Sequence, residues 1–118
     1  MKPRERAWRR GRRAETLCAW LLRLKGYRIV ARGFRAPVGE IDIVATRRGV
    51  LVAVEVKARD RRTTAAEAIS ARQQARVRRA AEAFISRHPE HANSAIRFDA
   101  MLVAPYRIPV HLIDAWRA

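Results

Sequence analysis

Two short segments of this chain carry acids and an amine at spacings that could do chemistry: Gly39-Glu40-Ile41-Asp42 and Val54-Glu55-Val56-Lys57. Side chains alternate along a strand, so Glu55 and Lys57 share a face of their strand, and Glu40 and Asp42 likewise share a face of theirs. Arg48-Gly49 lies between the segments and reads as a hairpin turn in which glycine supplies a positive φ. A two-residue turn there pairs Arg47 with Val50. Counting back puts Asp42 opposite Glu55 and Glu40 opposite Lys57, all on one side of the sheet. A slip of one residue would move Asp42 to the other face. Two carboxylates at that separation repel unless a cation lies between them. An all-oxygen donor set suits Mg²⁺, which keeps several of its waters, or Mn²⁺ in its place. Such an ion acidifies a water and neutralises charge on a scissile phosphate, and a lysine beside it orients the water or stabilises developing charge. The chemistry implied is metal-assisted hydrolysis of a phosphodiester.

A structural reading competes with this one. Glu-x-Lys is a short pattern, common as a solvent-facing ion pair at a strand end, and Asp42 could simply answer one of the many arginines. The functional reading gains from the context. Val50 to Val56 is apolar on both faces until Glu55, which marks a central strand, and unpaired charge at the end of a buried strand costs several kcal/mol, roughly.

The elements that must position these residues are legible from periodicity. A helix is expected up to about Lys25, stopped by Gly26, with Ala14, Leu17, Cys18, Leu21 and Leu22 as its apolar stripe and Glu15 at the margin. Strands follow at Tyr27 to Phe34, Glu40 to Thr46 and Val50 to Lys57. A polar basic loop begins at Ala58. Thr64 with Glu67 and Ser70 with Gln73 form two capping-box patterns, so a helix with a break, or a turn and then a long helix, should end near Arg87, before Pro89. Its core-facing residues would be Ile69, Val77, Ala80, Ala81, Phe84 and Ile85, with Arg72, Arg76 and Arg79 outward. Ile96 to Ala104 and Val110 to Trp116 complete the order α-β-β-β-α-β-β, a mixed sheet flanked by helices. Residues 1–118 are read as one domain, with residues 1–13 a basic arm able to move.

Charge narrows the class of partner. The chain has 26 Lys+Arg against 11 Asp+Glu, a net charge of +15, and most of the basic residues are arginine. A guanidinium fork donates two hydrogen bonds at once to phosphate, so nucleic acid is the favoured partner over an anionic membrane or a merely arginine-rich composition. Charge alone leaves open whether the protein cuts, carries or binds. No apolar run approaches the roughly 20 residues that span a bilayer, and no signal-peptide core follows the basic N-terminus. The single cysteine, Cys18, forms no internal disulfide, suits a reducing cytoplasm and reads as core filler. His88, His91 and His111 form no recognisable constellation. Asp99 beside Arg97 reads as a structural ion pair, and Trp20 as a core residue.

Taken together, these motifs resemble the PD-(D/E)xK nuclease superfamily, and more closely the YraN family of small bacterial proteins. The matching residues are Gly11-Arg12-Arg13-Ala14-Glu15, Gly26-Tyr27-Arg28-Ile29, Gly39-Glu40-Ile41-Asp42, Val54-Glu55-Val56-Lys57, Ala66-Glu67-Ala68-Ile69, Gln74 and Arg97-Phe98-Asp99. Two positions depart from the pattern: Gly33 stands where an asparagine usually precedes the aromatic-arginine pair, and Gln73 where lysine is common. The resemblance implies a restriction-endonuclease-like fold akin to Holliday-junction resolvases. It implies a metal held by Asp42, Glu55 and the first-helix Glu15, with Lys57 and Gln74 completing the catalytic set. The activity implied is endonucleolytic cutting of DNA (before RNA), branched or junction DNA included, by a protein that could act as a homodimer. Arg9, Arg10, Arg12, Arg13, Arg35, Arg59, Arg72 and Arg76 are the expected nucleic-acid contacts. The alternative is a non-catalytic nucleic-acid-binding module on a nuclease scaffold.

Overall fold

The computed structural model describes residues 3–58 and 69–117, with side chains from residue 11 onward. The expected Thr64/Glu67 capping box and Arg59 lie outside the described residues, as do the side chains of Arg9 and Arg10. The elements are α1 (Pro3–Leu24), β1 (Arg28–Ala36), β2 (Gly39–Arg47), β3 (Val50–Ala58), α2 (Ala71–Arg87), a 3-10 turn at Pro89–His91, β4 (Ala95–Val103) and β5 (Val110–Trp116). This is the α-β-β-β-α-β-β order expected from the sequence, and an α/β arrangement consistent with a restriction-endonuclease-like fold. No helix among the described residues is long and apolar enough to cross a membrane.

The five strands form one sheet in the order β1-β2-β3-β4-β5. Neighbouring strands are antiparallel except β3 and β4, which are parallel and joined through α2. α1 packs on one face and α2 on the other. On β3, Leu51 and Ala53 face the α2 side while Val52 and Val54 face the α1 side, so the central strand is buried on both faces. Each fully buried Val, Ile or Phe here contributes about 1.5–3 kcal/mol by leaving water.

α1 closes with Tyr27 N–H donating to Leu22 O (2.9 Å) and Gly26 N–H to Arg23 O (3.0 Å), the nested pair of bonds that ends a helix at glycine. Its buried line differs from the expected stripe. Cys18, Ala19 and Leu22 are fully buried, whereas Leu17 is 47% and Trp20 59% exposed. Glu15, Cys18, Ala19 and Leu22 stand at i, i+3, i+4 and i+7, so the helix is turned to bring Glu15 onto its sheet-facing line. Trp20 packs under the Arg23 guanidinium, 5.1 Å from the ring centroid, and not in the core.

α2 starts at Ser70, whose hydroxyl accepts from Gln73 N–H (3.1 Å) as the capping pattern requires. Val77, Ala80, Ala81 and Phe84 are buried beneath it; Ile85 is half-buried at the edge of that cluster. Arg72 and Arg79 are exposed and Arg76 half-buried. α2 crosses β2 at Gly39, where an added Cβ would lie 2.1 Å from the Arg76 carbonyl oxygen. Backbone cannot give way as a side chain can. Gly39→Ala should therefore push α2 outward and cost about 2 kcal/mol or more, read as a fall in the midpoint of urea unfolding. An unchanged midpoint would show that the helix does not press on β2.

The end of the sheet is tied by charge. Asp99 is fully buried and accepts from Arg97 Nε and Nη2 (both 2.8 Å), from His111 Nε2 (2.7 Å) and from Asp114 N–H (2.9 Å). Arg97 also donates to the Tyr27 hydroxyl (2.6 Å), and Lys25 reaches His111 Nδ1. Asp99 is thus a structural ion pair, and His111, assigned to no constellation from the sequence, belongs to its network. Phe98, Ala100 and Leu102 are buried on the α2 side of the sheet. β5 remains an edge, with Val110 and Ile113 partly exposed.

Candidate active site

Arg48 (φ 51°) and Gly49 (φ 78°) both adopt the left-handed region, the geometry of a two-residue hairpin turn. The β2–β3 ladder then runs in the expected register, from Arg47↔Val50 to Ile43↔Val54. It stops one pair short of Asp42 and Glu55. There Val56 N–H donates to the Asp42 carboxylate (2.8 Å), so a side chain takes over a backbone partner's place.

A second irregularity opens the same spot. Ile43 and Ala45 pack on the α1 side and Val44 on the α2 side, as alternation requires. Ile41 breaks the rule by packing on the α2 side with Phe34. Arg32 pairs with Ile43 and Phe34 with Ile41, so the change of face falls between them, at Gly33 (φ 65°) and Asp42. Asp42 therefore stands where the sheet turns over, within reach of groups from both sides.

On one side is Glu55, only 3% exposed and hydrogen-bonded to Asp42. Its Oε2 accepts from Gln73 Nε2 of α2 (3.0 Å), and Lys57 Nζ lies 3.9 Å from Oε1. Burial, the hydrogen bond to Asp42 and the Asp42 charge push the Glu55 carboxyl up to about 9, against the opposing pull of Gln73 and Lys57. The direction of the shift favours the protonated form of Glu55, as expected where a second carboxylate presses on a buried one. On the other side is Glu15. Its carboxyl is raised by partial burial and by the Asp42 charge, and lowered by Arg32 and Arg12. Cys18, fully buried beside these acids, has its thiol raised to about 12 by burial and by the Asp42 and Glu15 charges, so it is inert.

Asp42, Glu55 and Lys57 thus lie together, and Glu15 lies within electrostatic reach of Asp42. Gln74 does not join them: its Nε2 donates to Ile69 O (3.0 Å) at the start of α2. The neighbouring Gln73, noted in the sequence only as a departure and a capping residue, makes the contact with Glu55. Its backbone N–H caps the helix while its side chain, which a full capping box would send back to Ser70, is turned to the site. Glu40 pairs with exposed Arg35 (3.5 Å) and not with Lys57. Arg13 and Arg72 are exposed on the surface. Arg32, absent from the expected set, bonds to Thr16 next to Glu15 (2.9 Å). No pattern in the sequence singles it out among so many arginines.

Among the described residues no three His, Cys, Asp or Glu side chains gather closely enough to enclose a metal ion. Two neighbouring carboxylates nevertheless fit a hard divalent ion that takes one or two acids and keeps its waters. The shift of Glu55 has a consequence for stability. Glu55 titrates near 4.5 when unfolded and near 9 when folded, so between these values the folded chain binds more protons and stability falls as pH rises. Glu55→Gln removes this slope. The variant should gain on the wild type from pH 5 to pH 9, by on the order of 2 kcal/mol at pH 7, in urea unfolding without divalent metal. Parallel stability curves would mean that Glu55 is ionised in the folded protein.

The model of the family described as Uncharacterised protein family UPF0102 matches residues 14–103. A UPF0102 protein of Parvibaculum lavamentivorans is 54% identical over 111 residues, covering 94% of this chain and 84% of the relative. One from Rhodopseudomonas palustris is 54% identical over 112 residues, 95% of this chain and 86% of the relative. One from Nitrobacter winogradskyi is 53% identical over 112 residues, 95% of each. Residues 14–103 span every group of the candidate site, from Glu15 to Gln73, and the chain belongs to the UPF0102 (YraN) family.

Proposed function

We propose that this protein is a metal-dependent nuclease that hydrolyses phosphodiesters of nucleic acid, DNA before RNA. The observation that carries this reading is the pairing of buried Glu55, near the end of the central strand, with half-buried Asp42 of β2, and Lys57 Nζ 3.9 Å from Glu55. Asp42 and Glu55 would hold Mg²⁺ or Mn²⁺, with Glu15 acting on the site through its charge. A bound ion would supply Lewis acidity toward the phosphate and an acidified water.

The chain's own residues do the rest. Gln73 and Val56 N–H fix one oxygen of each acid, so both carboxylates are oriented before substrate arrives. Lys57, partly exposed at the strand end, can face a phosphate oxygen while its charge favours the ionised form of Glu55. Burial of Glu55 strengthens the interactions that it makes. The net charge of +15 draws a polyanion toward the site. The buried, inert Cys18 thiol fits a reducing compartment such as the cytoplasm.

A second reading has its own support. The absence of a closed three-ligand set among the described residues favours a binding module that keeps the scaffold and the charge without cutting. The two are separated with labelled linear duplex, single strand, flap and four-way junction in Mg²⁺ or Mn²⁺, using Glu55→Ala as the reference. Cutting by the wild type and not by the variant supports the nuclease and identifies the preferred shape. Equal, salt-sensitive binding by both proteins with no cutting in either metal would transfer the proposal to the binding module.

A further inference from the structure

Arg32 is solvent-exposed yet stands beside the acids of the candidate site. It pairs with Ile43 on β2, one residue from Asp42. Its Nη2 donates to Thr16 Oγ1 (2.9 Å), one residue from Glu15 on α1. Thr16 in turn donates to the Arg12 carbonyl (2.9 Å), so the hydroxyl that receives the guanidinium is itself oriented by the helix. This one bond uses a single donor of a five-donor fork, and Arg32 makes no other hydrogen bond or ion pair among the described residues. The fork is solvent-exposed, yet it is held against the acid cluster and not left free to wave.

A cation so placed has a structural use, tying α1 to β1, but a neutral side chain could make the same bond to Thr16. The charge has a further consequence. The acids run from Glu55 through Asp42 to Glu15, with Lys57 at the Glu55 end and Arg32 at the Glu15 end. A substrate with one phosphate would need a cation at only one end. A polynucleotide presents a phosphate at each step, and its backbone laid along this line would meet Lys57 and then Arg32.

We infer that Arg32, held by Thr16, grips a backbone phosphate at the Glu15 end of the site, apart from the one facing Lys57, and so sets the track of a polynucleotide past the acids. This rests on the nucleic-acid reading above and extends it to the strand's path. Thr16 is a positioning residue and Arg32 a substrate-binding one.

The test is equilibrium binding of a labelled DNA duplex by the full chain in EDTA, across a salt series, for wild type, Arg32→Ala, Arg32→Lys and Thr16→Val. Loss of one phosphate contact should reduce the slope of log affinity against log salt by about one and weaken binding roughly eightfold at 0.1 M salt in Arg32→Ala. Arg32→Lys should recover the slope, since a charge at that place is what releases the counterion. Thr16→Val should keep the wild-type slope with weaker binding, which a merely structural tie would not predict. Thermal melting of each variant separates misfolding from lost contact. A slope and affinity in Arg32→Ala equal to wild type would overturn the inference while leaving the nuclease reading intact if the wild type still cuts DNA. A wild type that neither binds nor cuts DNA would overturn both.

Discussion

Glu55→Ala should cut no nucleic acid at a rate within about a thousandfold of the wild type, in either Mg²⁺ or Mn²⁺, while remaining folded. The magnitude follows from the several kcal/mol, roughly 4, that a catalytic ion supplies in the transition state and that is lost with the ligand that holds it. The folded state should survive because Glu55 is an expensive residue to bury. Its carboxyl is desolvated, so removing it ends the cost of burying a polar group and offsets part of the small void that is left. The variant therefore separates chemistry from stability in one step. Cleavage rates under single-turnover conditions and melting curves without metal check both halves. A variant that cuts within tenfold of the wild type would remove Glu55 from the mechanism. A variant that fails to fold would show that the Gln73–Glu55–Asp42 contacts hold α2 to the sheet, and Glu55→Gln would then carry the activity test.

The largest stability effect is expected at a residue outside the candidate site. Asp99→Ala should destabilise the protein by about 3–5 kcal/mol, because it leaves the Arg97 guanidinium, the His111 ring N–H and the Asp114 N–H without their buried acceptor. A domain of this size has about 5–15 kcal/mol in all, so the variant should melt about 15 °C or more below the wild type. The wild type should also show an acid limb. Burial alone would raise the Asp99 carboxyl, but the His111 and Arg97 hydrogen bonds and the Asp114 N–H outweigh it and hold the group down at about 2. A depressed acid contributes stability above its ordinary value of 3.8, and that contribution, about 2 kcal/mol, is lost as pH falls toward 2. Urea unfolding from pH 2 to pH 7 should show this limb in the wild type and not in Asp99→Asn. If Asp99→Asn matched the wild type at pH 6 and shared its acid slope, the network would be ornamental.

These two acids show the limits of reading chemistry from exposure or spacing alone. Both are buried, and both lie on neighbouring central strands, β3 and β4. Asp99 is surrounded by donors that hold its carboxyl low; Glu55 faces another acid and its carboxyl is pushed up. The first arrangement stabilises the fold. The second is a raised carboxyl beside another acid, the arrangement on which the proposed metal site rests.

The sequence by itself determined the element order, the central place of β3 and the β2–β3 register, because these depend on local periodicity and on a turn whose glycine admits few alternatives. Parity along two strands was enough to place Asp42 with Glu55 and Lys57. The rotation of α1 was not legible: its apolar residues cover more than one face, and only packing against the sheet chose the line through Glu15, Cys18, Ala19 and Leu22 over one through Leu17 and Trp20. Gln73 and Gln74 are identical in type and adjacent, so only the angle at which α2 crosses Gly39 decided which of them reaches Glu55. Arg32, Thr16 and the Asp99–His111 tie join elements far apart in the chain, and no local pattern encodes such contacts. The tertiary structure decided them because a side chain's partner depends on where the sheet turns over at Gly33 and Asp42, a bend set by the packing of both faces at once.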